Sequence, residues 1–395
     1  MTELSVELAN LEDSYLNQVQ YALTFASESV EGYCIDRDAK SVRLRLRPGA
    51  DQEEVSARVR QLLGRFESGE FGFKSVVHMD RRRELPKRDT WAELLDRRWV
   101  TQVGEGQVIL RGPAAELARV IDHKVESEFV REFQAEHEIY PPTINCRTLD
   151  RCGHFTSFPE HVDFVAHLRP DLEHLRSFAE RCRERGWQPD HHEGKMHVVE
   201  LAISPSCCYH CYEGMSEWRL PPPGRCVTAT LSCHRYEGAN HQSLARLRSF
   251  TMREVIWVGQ PAFVLAARAR AEELIQRWAG DWELSCTFET ANDMFFTDDF
   301  AVKASFQRQQ EAKRELRADL PFEGQSLSLF SSNFHSATFG KAFHIQVSER
   351  PATSGCIGWG YERWVYAVFC QFGCDWRQWP DGLRRDWDAA GGRLW

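Results

Sequence analysis

The sequence predicts an α+β fold, in which an antiparallel or mixed sheet is flanked by helices and preceded by a small α+β module. The strand candidates of its second half are short, lie between long turns and lack the regular βαβ alternation of a parallel sheet. Stretches with helical periodicity stand among them and are expected to pack on the sheet. A length of 395 residues favours two or more domains. We expect a module with a basic linker over residues 1–92 and a larger domain over 93–395.

The N-terminal part of the chain shows the pattern of a strand followed by a helix. Residues 41–47 (SVRLRLR) alternate polar and apolar side chains, as in a half-buried strand. After a Pro-Gly turn, apolar residues recur at helical spacing from Val55 to Phe66. The basic stretch 81–88 is interpreted as a linker, with a solvated surface run as the alternative.

A long amphipathic helix is predicted after a short strand that starts at Gln107. The helix must end before Pro141 and Pro142, which cannot continue it. Its apolar stripe consists of Leu117, Val120, Ile121, Val125, Phe129, Val130 and Phe133.

The remaining elements follow in chain order. Strands are predicted at Val198–Ile203, Val227–Cys233, Glu254–Val258, Ser326–Phe330 and Phe343–Val347. Helices are predicted near 171–185, 261–279, 298–316 and 361–372.

Composition and charge narrow the class of protein. Hydrophobic residues make up 42% of the chain, enough for a packed core. The acidic N-terminus lacks the features of a signal peptide, and no stretch has the length of a membrane span. Thirteen cysteines without an export signal indicate reduced thiols or metal ligands, so a cytoplasmic protein is expected. The net charge of −9 argues against nucleic acid as the main partner, which makes tRNA an unlikely one.

Two segments are predicted to form a hairpin that carries arginine, glutamate and aromatic side chains. CHRYEG (233–238) carries Arg235 and Glu237, and RLRSFTMREV (246–255) carries Phe250. An arginine fork matches phosphate oxygens and stabilises charge that develops on phosphorus, while an aromatic ring offers a stacking surface. An Arg–Glu pair at the surface is the alternative interpretation.

A glycine-rich segment near the C-terminus carries a second arginine. GCIGWGYERW (355–364) has the pattern G-x-G-x-x-R, formed by Gly358, Gly360 and Arg363 on a strand that turns into a helix. Glycines permit close backbone approach to a nucleotide. The segment lacks the third glycine and the βαβ context of a dinucleotide site.

Together with SPSCCYHCY (204–212), these segments resemble the core of class II aminoacyl-tRNA synthetases. More narrowly, they look like the amino acid:[carrier protein] ligases and the atypical, zinc-dependent seryl-tRNA synthetases of methanogens. The resemblance covers approximately residues 100–380 and implies an antiparallel sheet of the class II type in a catalytic domain. The helix before Pro141 resembles motif 1, which implies a homodimer.

The resemblance assigns roles in ATP binding to the hairpin and the glycine-rich segment. Arg235 would contact the α-phosphate, Glu237 the adenine edge and Phe250 the adenine face, as in motif 2. Arg363, with Gly358 and Gly360, would hold the γ-phosphate end, as in motif 3. Arg235 and Arg363 are thereby implied to be catalytic.

The resemblance also implies a Zn²⁺ ion bound by Cys208, Glu254 and Cys356. Two thiolates and one carboxylate leave a fourth position open, as in catalytic zinc sites, and there the α-amino group of the amino acid would bind. A structural knuckle or a C-x-x-C redox pair remains the alternative. The knuckle would use Cys207, Cys208, Cys211, Cys226, Cys233 and His210.

Three further segments echo the carrier ligases: 150–168, 291–299 and SSNFHSATFGKAF (331–343). The last implies that Asn333, His335 and Phe339 lie near the amino acid. One departure concerns Mg²⁺, because the strand before motif 3 usually supplies an acid and residues 325–333 contain none. Glu323 is the nearest substitute, and an enzyme that has lost activity is the alternative.

The function implied is ATP-dependent activation of a small amino acid as an aminoacyl-adenylate, followed by transfer to the phosphopantetheine thiol of a carrier protein. Two alternatives remain: a seryl-like synthetase that charges tRNA, and a non-catalytic paralogue. Residues 1–92 would dock either the carrier protein or tRNA.

Overall fold

The computed structural model describes residues 2–8, 15–36, 40–68, 75–188, 196–236, 243–291 and 312–393. Its helices are α1 Leu16–Leu23, α2 Gln52–Glu67, α3 Thr90–Asp96, α4 Pro113–Val125, α5 Cys146–Arg151, α6 His154–Ser157, α7 Leu172–Arg185, α8 Cys208–Gly214, α9 Pro261–Asp281, α10 Thr338–Ala342, α11 Tyr361–Phe372 and α12 Asp381–Ala389. A π-helical turn, Glu126–Val130, extends α4, and 3₁₀ turns lie at Pro159–His161 and Trp376–Gln378.

The strands are shorter on average than the helices. They are β1 Thr2–Glu7, β2 Val30–Asp36, β3 Ser41–Leu46, β4 Val77–Asp80, β5 Val100–Gly104, β6 Gln107–Leu110, β7 Glu136–His137, β8 Thr143–Asn145, β9 Phe164–Leu168, β10 Met196–Ile203, β11 Arg219–Leu220, β12 Gly224–His234, β13 Ser249–Gly259, β14 Cys286–Thr290, β15 Lys313–Leu320, β16 Gln325–Ser336, β17 Gln346–Val347, β18 Arg350–Pro351 and β19 Thr353–Gly360.

The N-terminal module is a three-stranded antiparallel sheet, in the order β1-β3-β2, with helices α1 and α2. The alternation predicted for residues 41–47 is confirmed, because Val42, Leu44 and Leu46 are buried and the arginines between them are exposed. Asp51 caps α2 by accepting hydrogen bonds from two backbone N–H groups of its first turn. A separate hydrophobic cluster holds the module together.

The centre of the larger domain is an eight-stranded sheet in the order β4-β14-β15-β16-β19-β13-β12-β7. Six of the seven strand pairings are antiparallel, and only the short β7 pairs in parallel, with β12. Helices α4, α9 and α11 pack around it. The predicted α+β architecture, an antiparallel sheet flanked by helices after a small module, is confirmed.

Alternation along β13 and β19 separates the two faces of this sheet. Val255, Trp257 and Trp359 belong to the main hydrophobic core, whereas Ile256 and Cys356 belong to a second cluster that includes helix α8. Successive side chains of a strand point to opposite faces, so one face is packed by the long helices and the other carries α8. The candidate site lies on the α8 face.

The predicted division at residue 92 stays a prediction. The hydrophobic cluster of the module ends at Phe66, and β4 (Val77–Asp80) already pairs with β14 of the large sheet. The basic stretch 81–88 has no regular secondary structure. It contacts the domain through Arg83, whose backbone N–H donates to Ser285 Oγ at 2.9 Å.

Two predicted elements are wrong in part. Residues 338–342 form helix α10 and only Gln346–Val347 is a strand, in place of a strand over 343–347. The helix predicted near 298–316 is contradicted at its end, because β15 (Lys313–Leu320) pairs with β14 and β16; residues 298–311 lie outside the described residues. Strand pairing in the sheet overrides the helical propensity of KRELRADL.

The other predicted helices and strands of the large domain are confirmed, with longer bounds in most cases. Among the described residues, no helix has both the length and the apolar character needed to cross a membrane.

Candidate active site

Three separate elements bring Cys208, Glu254 and Cys356 together. Cys208 starts helix α8, and Glu254 and Cys356 lie on the adjacent strands β13 and β19. In the antiparallel register Ile256 faces Cys356, so Glu254 is its diagonal neighbour on the same face. One ligand atom of each residue lies within 4.8 Å of the others, and all three residues are buried. This is the one such group found among the described residues.

The hydrogen bonds of Glu254 indicate that a cation fits this cluster. Its Oε1 accepts hydrogen bonds from Ser206 Oγ at 2.8 Å and from the backbone N–H of Cys207 at 3.2 Å. Its Oε2 is buried and accepts no hydrogen bond from a described residue. A buried carboxylate oxygen without a donor is costly unless a cation is bound. Two sulfurs and one oxygen form a donor set that suits Zn²⁺.

The thiols of the cluster are protonated when no cation is bound. A hydrogen bond to the Cys208 sulfur, burial and the Glu254 charge hold the pKa of Cys356 well above its usual range. The pKa of Cys208 is lowered by its hydrogen bond to Cys356, but burial and the charge of Glu254 outweigh this effect and raise it overall. Binding of a metal by these thiols would therefore release protons.

The other cysteines of the proposed knuckle do not converge. Cys207 and Cys233 lie in one small hydrophobic cluster, Cys211 lies in the cluster of α8, and Cys226 lies in the main core. His210 stacks on Tyr140, and its Nε2 lies 3.0 Å from Ser204 Oγ. These cysteines behave as small buried hydrophobic residues.

The predicted hairpin is formed by β12 and β13. Arg235 follows β12, its Nε donates to the carbonyl of Pro205 at 2.9 Å, and its guanidinium lies 5.4 Å from the centre of the Phe250 ring. The carbonyl of Pro205 belongs to the segment that leads into Cys208. This contact places Arg235 near the group formed by Cys208, Glu254 and Cys356. Glu237 lies outside the described residues.

The second arginine lies in the first turn of helix α11, which directly follows β19. Arg363 Nε donates to the carbonyl of Ala245 at 3.1 Å, on the approach to β13, so Arg363 contacts the hairpin that carries Arg235. A Cβ on Gly358 or Gly360 would meet side-chain and backbone atoms at 3.5 Å or more, which is ordinary contact. Packing of the described residues does not require these two glycines, and their role in nucleotide binding stays a prediction.

Of the three predicted substrate residues, Asn333 lies closest to the cluster. It pairs with Cys356 in register, and its Nδ2 donates to Ser331 Oγ at 3.3 Å and to Cys356 Sγ at 3.7 Å. His335 and Phe339 lie beside Tyr212 of helix α8. Phe339 stacks on the Tyr212 ring with 4.3 Å between ring centres, and His335 Nδ1 lies 3.1 Å from the Tyr212 hydroxyl.

Strand β16 has no acid that could hold Mg²⁺. Glu323, in the turn before it, accepts a hydrogen bond from the Tyr366 hydroxyl through Oε1. Its Oε2 is buried without a donor among the described residues. Tyr366 lies one helical turn after Arg363, and Mg²⁺ at a nucleotide needs only one or two carboxylates beside the phosphates. Like Glu254, Glu323 has a buried carboxylate oxygen without a donor among the described residues, so it stays the candidate ligand for Mg²⁺.

Sequence reasoning missed the residues that support the cluster. Ser206 Oγ bridges Glu254 Oε1 and Cys208 Sγ, at 2.8 and 3.2 Å, and the backbone N–H of Cys207 fixes the same carboxylate. The run SPSCC carries polar groups next to a proposed ligand, but only the fold shows that they point at Glu254.

No protein-family model matches the sequence. Over 257 residues the chain is 32% identical to amino acid–[acyl-carrier-protein] ligase 1 of Bradyrhizobium diazoefficiens, an alignment that covers 64% of this chain and 77% of that protein. The chain belongs to the amino acid–[acyl-carrier-protein] ligase family. Ligase 2 of the same organism is 31% identical over 257 residues, and the alignment covers 64% of this chain and 75% of that protein.

The chain also shares its fold with class II synthetases. Over 323 residues the chain is 24% identical to the type-2 serine–tRNA ligase of Methanopyrus kandleri. The alignment covers 78% of this chain and 61% of that protein. The crystal structure of M. kandleri seryl-tRNA synthetase with Aquifex aeolicus tRNASec aligns with a TM-score of 0.71 at 20% identity. That alignment covers 99% of this chain and 78% of that one, so the class II fold predicted from the motifs is confirmed.

Proposed function

We propose that this protein activates a small amino acid with ATP and transfers the aminoacyl group to the phosphopantetheine thiol of a carrier protein. Membership of the ligase family supports both steps. The observation that carries the proposal is the group Cys208, Glu254 and Cys356, in which a buried oxygen of Glu254 has no donor among the described residues. This group lies beside the hairpin that carries Arg235 and contacts Arg363.

In the first step, a carboxylate oxygen of the amino acid attacks the α-phosphorus of ATP, and the bond to pyrophosphate breaks. Arg235 would bind the α-phosphate and stabilise the charge that develops there, while Arg363 would hold the γ-phosphate end. Phe250 would stack on the adenine, which requires Arg235 to leave at least one face of that ring open. Because Gly358 and Gly360 have no side chains, the nucleotide would be able to approach the backbone of β19 closely.

A Zn²⁺ ion bound by Cys208, Glu254 and Cys356 would supply a Lewis-acid position for the unprotonated α-amino group of the substrate. Ser206 and the Cys207 N–H would keep the Glu254 carboxylate oriented for that role. Asn333 lies where its amide would face the substrate beside Cys356. Glu323 would hold Mg²⁺ with the phosphates of ATP.

In the second step, the carrier thiol loses its proton and its sulfur attacks the carbonyl carbon of the adenylate, and AMP leaves. The bond formed is a thioester, which distinguishes this product from an RNA ester. Assembly as a homodimer through helix α4 remains part of the proposal.

The test is ATP–pyrophosphate exchange with glycine, alanine and serine. We expect exchange with at least one of them, and Arg363→Ala to lower its rate by on the order of 10²-fold through lost charge stabilisation. Arg350→Ala is the matched control, because Arg350 is exposed on strand β18 and should leave the rate unchanged. Absence of exchange with every small amino acid would contradict the proposal and favour a non-catalytic paralogue.

Transfer of an aminoacyl group to tRNA is the second candidate, favoured by the structural alignment with a tRNA-bound synthetase over 99% of the chain. Labelled amino acid is incubated with ATP, phosphopantetheinylated carrier protein and total tRNA. Label that survives ribonuclease but is released by neutral hydroxylamine supports the carrier. Label that ribonuclease removes supports tRNA.

A further inference from the structure

The N-terminal module contacts the larger domain through Tyr21 of helix α1. The Tyr21 hydroxyl donates to Glu160 Oε1 at 3.1 Å and lies 2.8 Å from His161 Nε2. The side chains of Glu160 and His161 are only 9% and 12% exposed, so these hydrogen bonds are shielded from water. Arg246 lies over the Tyr21 ring at 5.3 Å, and Phe158 packs against the hydrophobic cluster of the module. One tyrosine thus joins the module to residues 158–161 and to the hairpin.

The segment held by Tyr21 also contacts the residues that flank Arg235, the arginine proposed to bind the α-phosphate. The carbonyl of His161 accepts a hydrogen bond from the backbone N–H of Tyr236, the neighbour of Arg235, at 3.4 Å. Asp163 forms an ion pair with Arg248, whose carbonyl accepts a hydrogen bond from the Arg235 N–H at 2.9 Å. The backbone on both sides of Arg235 is therefore fixed by residues 161–163.

A chain of rings continues from this segment toward the metal cluster. His161 stacks on Phe158 with 5.4 Å between ring centres, and His154 contacts both rings. His154 Nδ1 lies 3.3 Å from the hydroxyl of Tyr209, the residue after Cys208. Burial and the nearby charge of Arg235 lower the pKa of His154 to about 4, so the imidazole is neutral at pH 7 and adds no charge beside the arginine.

We infer that Tyr21 is a positioning residue, and that the N-terminal module thereby forms part of the catalytic machinery rather than only a docking appendage. This inference rests on the function proposed above. Without the hydroxyl, two largely buried polar side chains lose a partner, and the segment 158–163 relaxes away from the module. Arg235 then shifts relative to the α-phosphate, and a displacement of about 1 Å can cost about 10²-fold in rate.

The test is Tyr21→Phe in the full-length protein, assayed by ATP–pyrophosphate exchange at 20–25 °C with the amino acid that the wild type activates. We expect kcat to fall tenfold or more, while KM for the amino acid and the zinc content stay within twofold of wild type. The effect should appear in kcat because Arg235 is proposed to act on charge that develops in the transition state.

Tyr15→Phe is the matched control, since Tyr15 packs against the same cluster and its hydroxyl forms no hydrogen bond within the described part of the chain. If Tyr21 only stabilised the module, its substitution would lower the melting temperature. At assay temperatures well below the melting temperature, kcat would then equal that of the wild type. An unchanged kcat in Tyr21→Phe, or an equal fall of kcat in Tyr21→Phe and Tyr15→Phe, overturns this inference and leaves the proposed function intact. A wild type that activates no small amino acid overturns the proposed function, and the inference with it.

Discussion

The two oxygens of the Glu254 carboxylate have different environments. Oε1 is fixed by Ser206 and by the Cys207 N–H, while Oε2 is buried at the group formed with Cys208 and Cys356. A carboxylate held by one oxygen presents the other in a defined direction, which is how supporting hydrogen bonds orient a metal ligand. The environment of this one residue therefore supports the proposal that the Cys–Glu–Cys group binds a metal.

Metal content should separate this site from the other buried cysteines. We expect Cys208→Ser and Glu254→Gln each to lower the zinc bound per chain by more than about tenfold, because each removes a ligand. Glu254→Gln can keep the hydrogen bonds at Oε1 while an amide nitrogen, which cannot bind the metal, replaces Oε2. Cys226→Ser is the matched control in the main core. Metal analysis of the purified proteins gives the answer, and equal zinc loss in the control would favour the structural knuckle.

Strand β15 shows how an element depends on its neighbours. Its residue Glu315 is 9% exposed and pairs with Lys313 at 3.1 Å and Arg317 at 2.7 Å. Burial alone would raise the pKa of Glu315, but the two cations outweigh it and lower the pKa to about 2. The strand therefore brings a charged triad into the sheet, and breaking that triad leaves buried charge unpaired.

Acid should weaken the contribution of Glu315 in a defined window. Because its folded pKa is below that of an unfolded glutamate, about 4.3, its stabilisation is complete above that pH and is lost as pH falls toward about 2. We expect Glu315→Gln to destabilise the fold by on the order of 3 kcal/mol at pH 6, and by progressively less between pH 4 and pH 2.5. Urea unfolding of wild type and variant at each pH measures the difference. A difference that does not change with pH would mean that the carboxylate charge is not what stabilises β15.

Elements with a clear local pattern were predictable, and elements defined by pairing were not. The alternation of residues 41–47 and the helical spacing of 55–66 each reflect one buried face, so strand β3 and helix α2 follow from the sequence. KRELRADL has good helix formers, yet it is strand β15, because it lies between β14 and β16. The information that overrides its propensity lies in distant residues.

At the scale of the whole molecule, the N-terminal module and the larger domain each have a main hydrophobic cluster of their own. The cluster of the module involves buried residues from Val6 to Phe66, and the main core begins at Leu94. They meet where Phe158 packs against the module and Tyr21 reaches Glu160 and His161. We propose on this basis that the module is a separate folding unit that docks on the catalytic domain.

A core substitution in each unit tests that proposal. Phe66→Ala should lower the free energy of unfolding of the module by about 3–5 kcal/mol, as expected for a fully buried phenylalanine. It should also raise the rate of hydrogen exchange in the module. Exchange in the segment 353–372 and the zinc content should stay at wild-type values. Phe288→Ala, buried in the main core, should instead raise exchange in the large sheet. Faster exchange throughout the chain in Phe66→Ala would contradict the proposed division.

The sequence by itself determined the fold class and the chemistry available to the site. Local periodicity fixed most of the secondary structure, and the motifs around Arg235, Arg363 and Cys208 fixed the family, because residue type and short spacing are enough to carry that signal. The resemblance predicted that Cys208, Glu254 and Cys356 share one site, and the tertiary structure brings them together. Only the tertiary structure decided that Ser206 supports them and that Tyr21 reaches the hairpin. Each of these contacts joins residues from different elements. Their geometry depends on sheet register and packing, which no local pattern specifies.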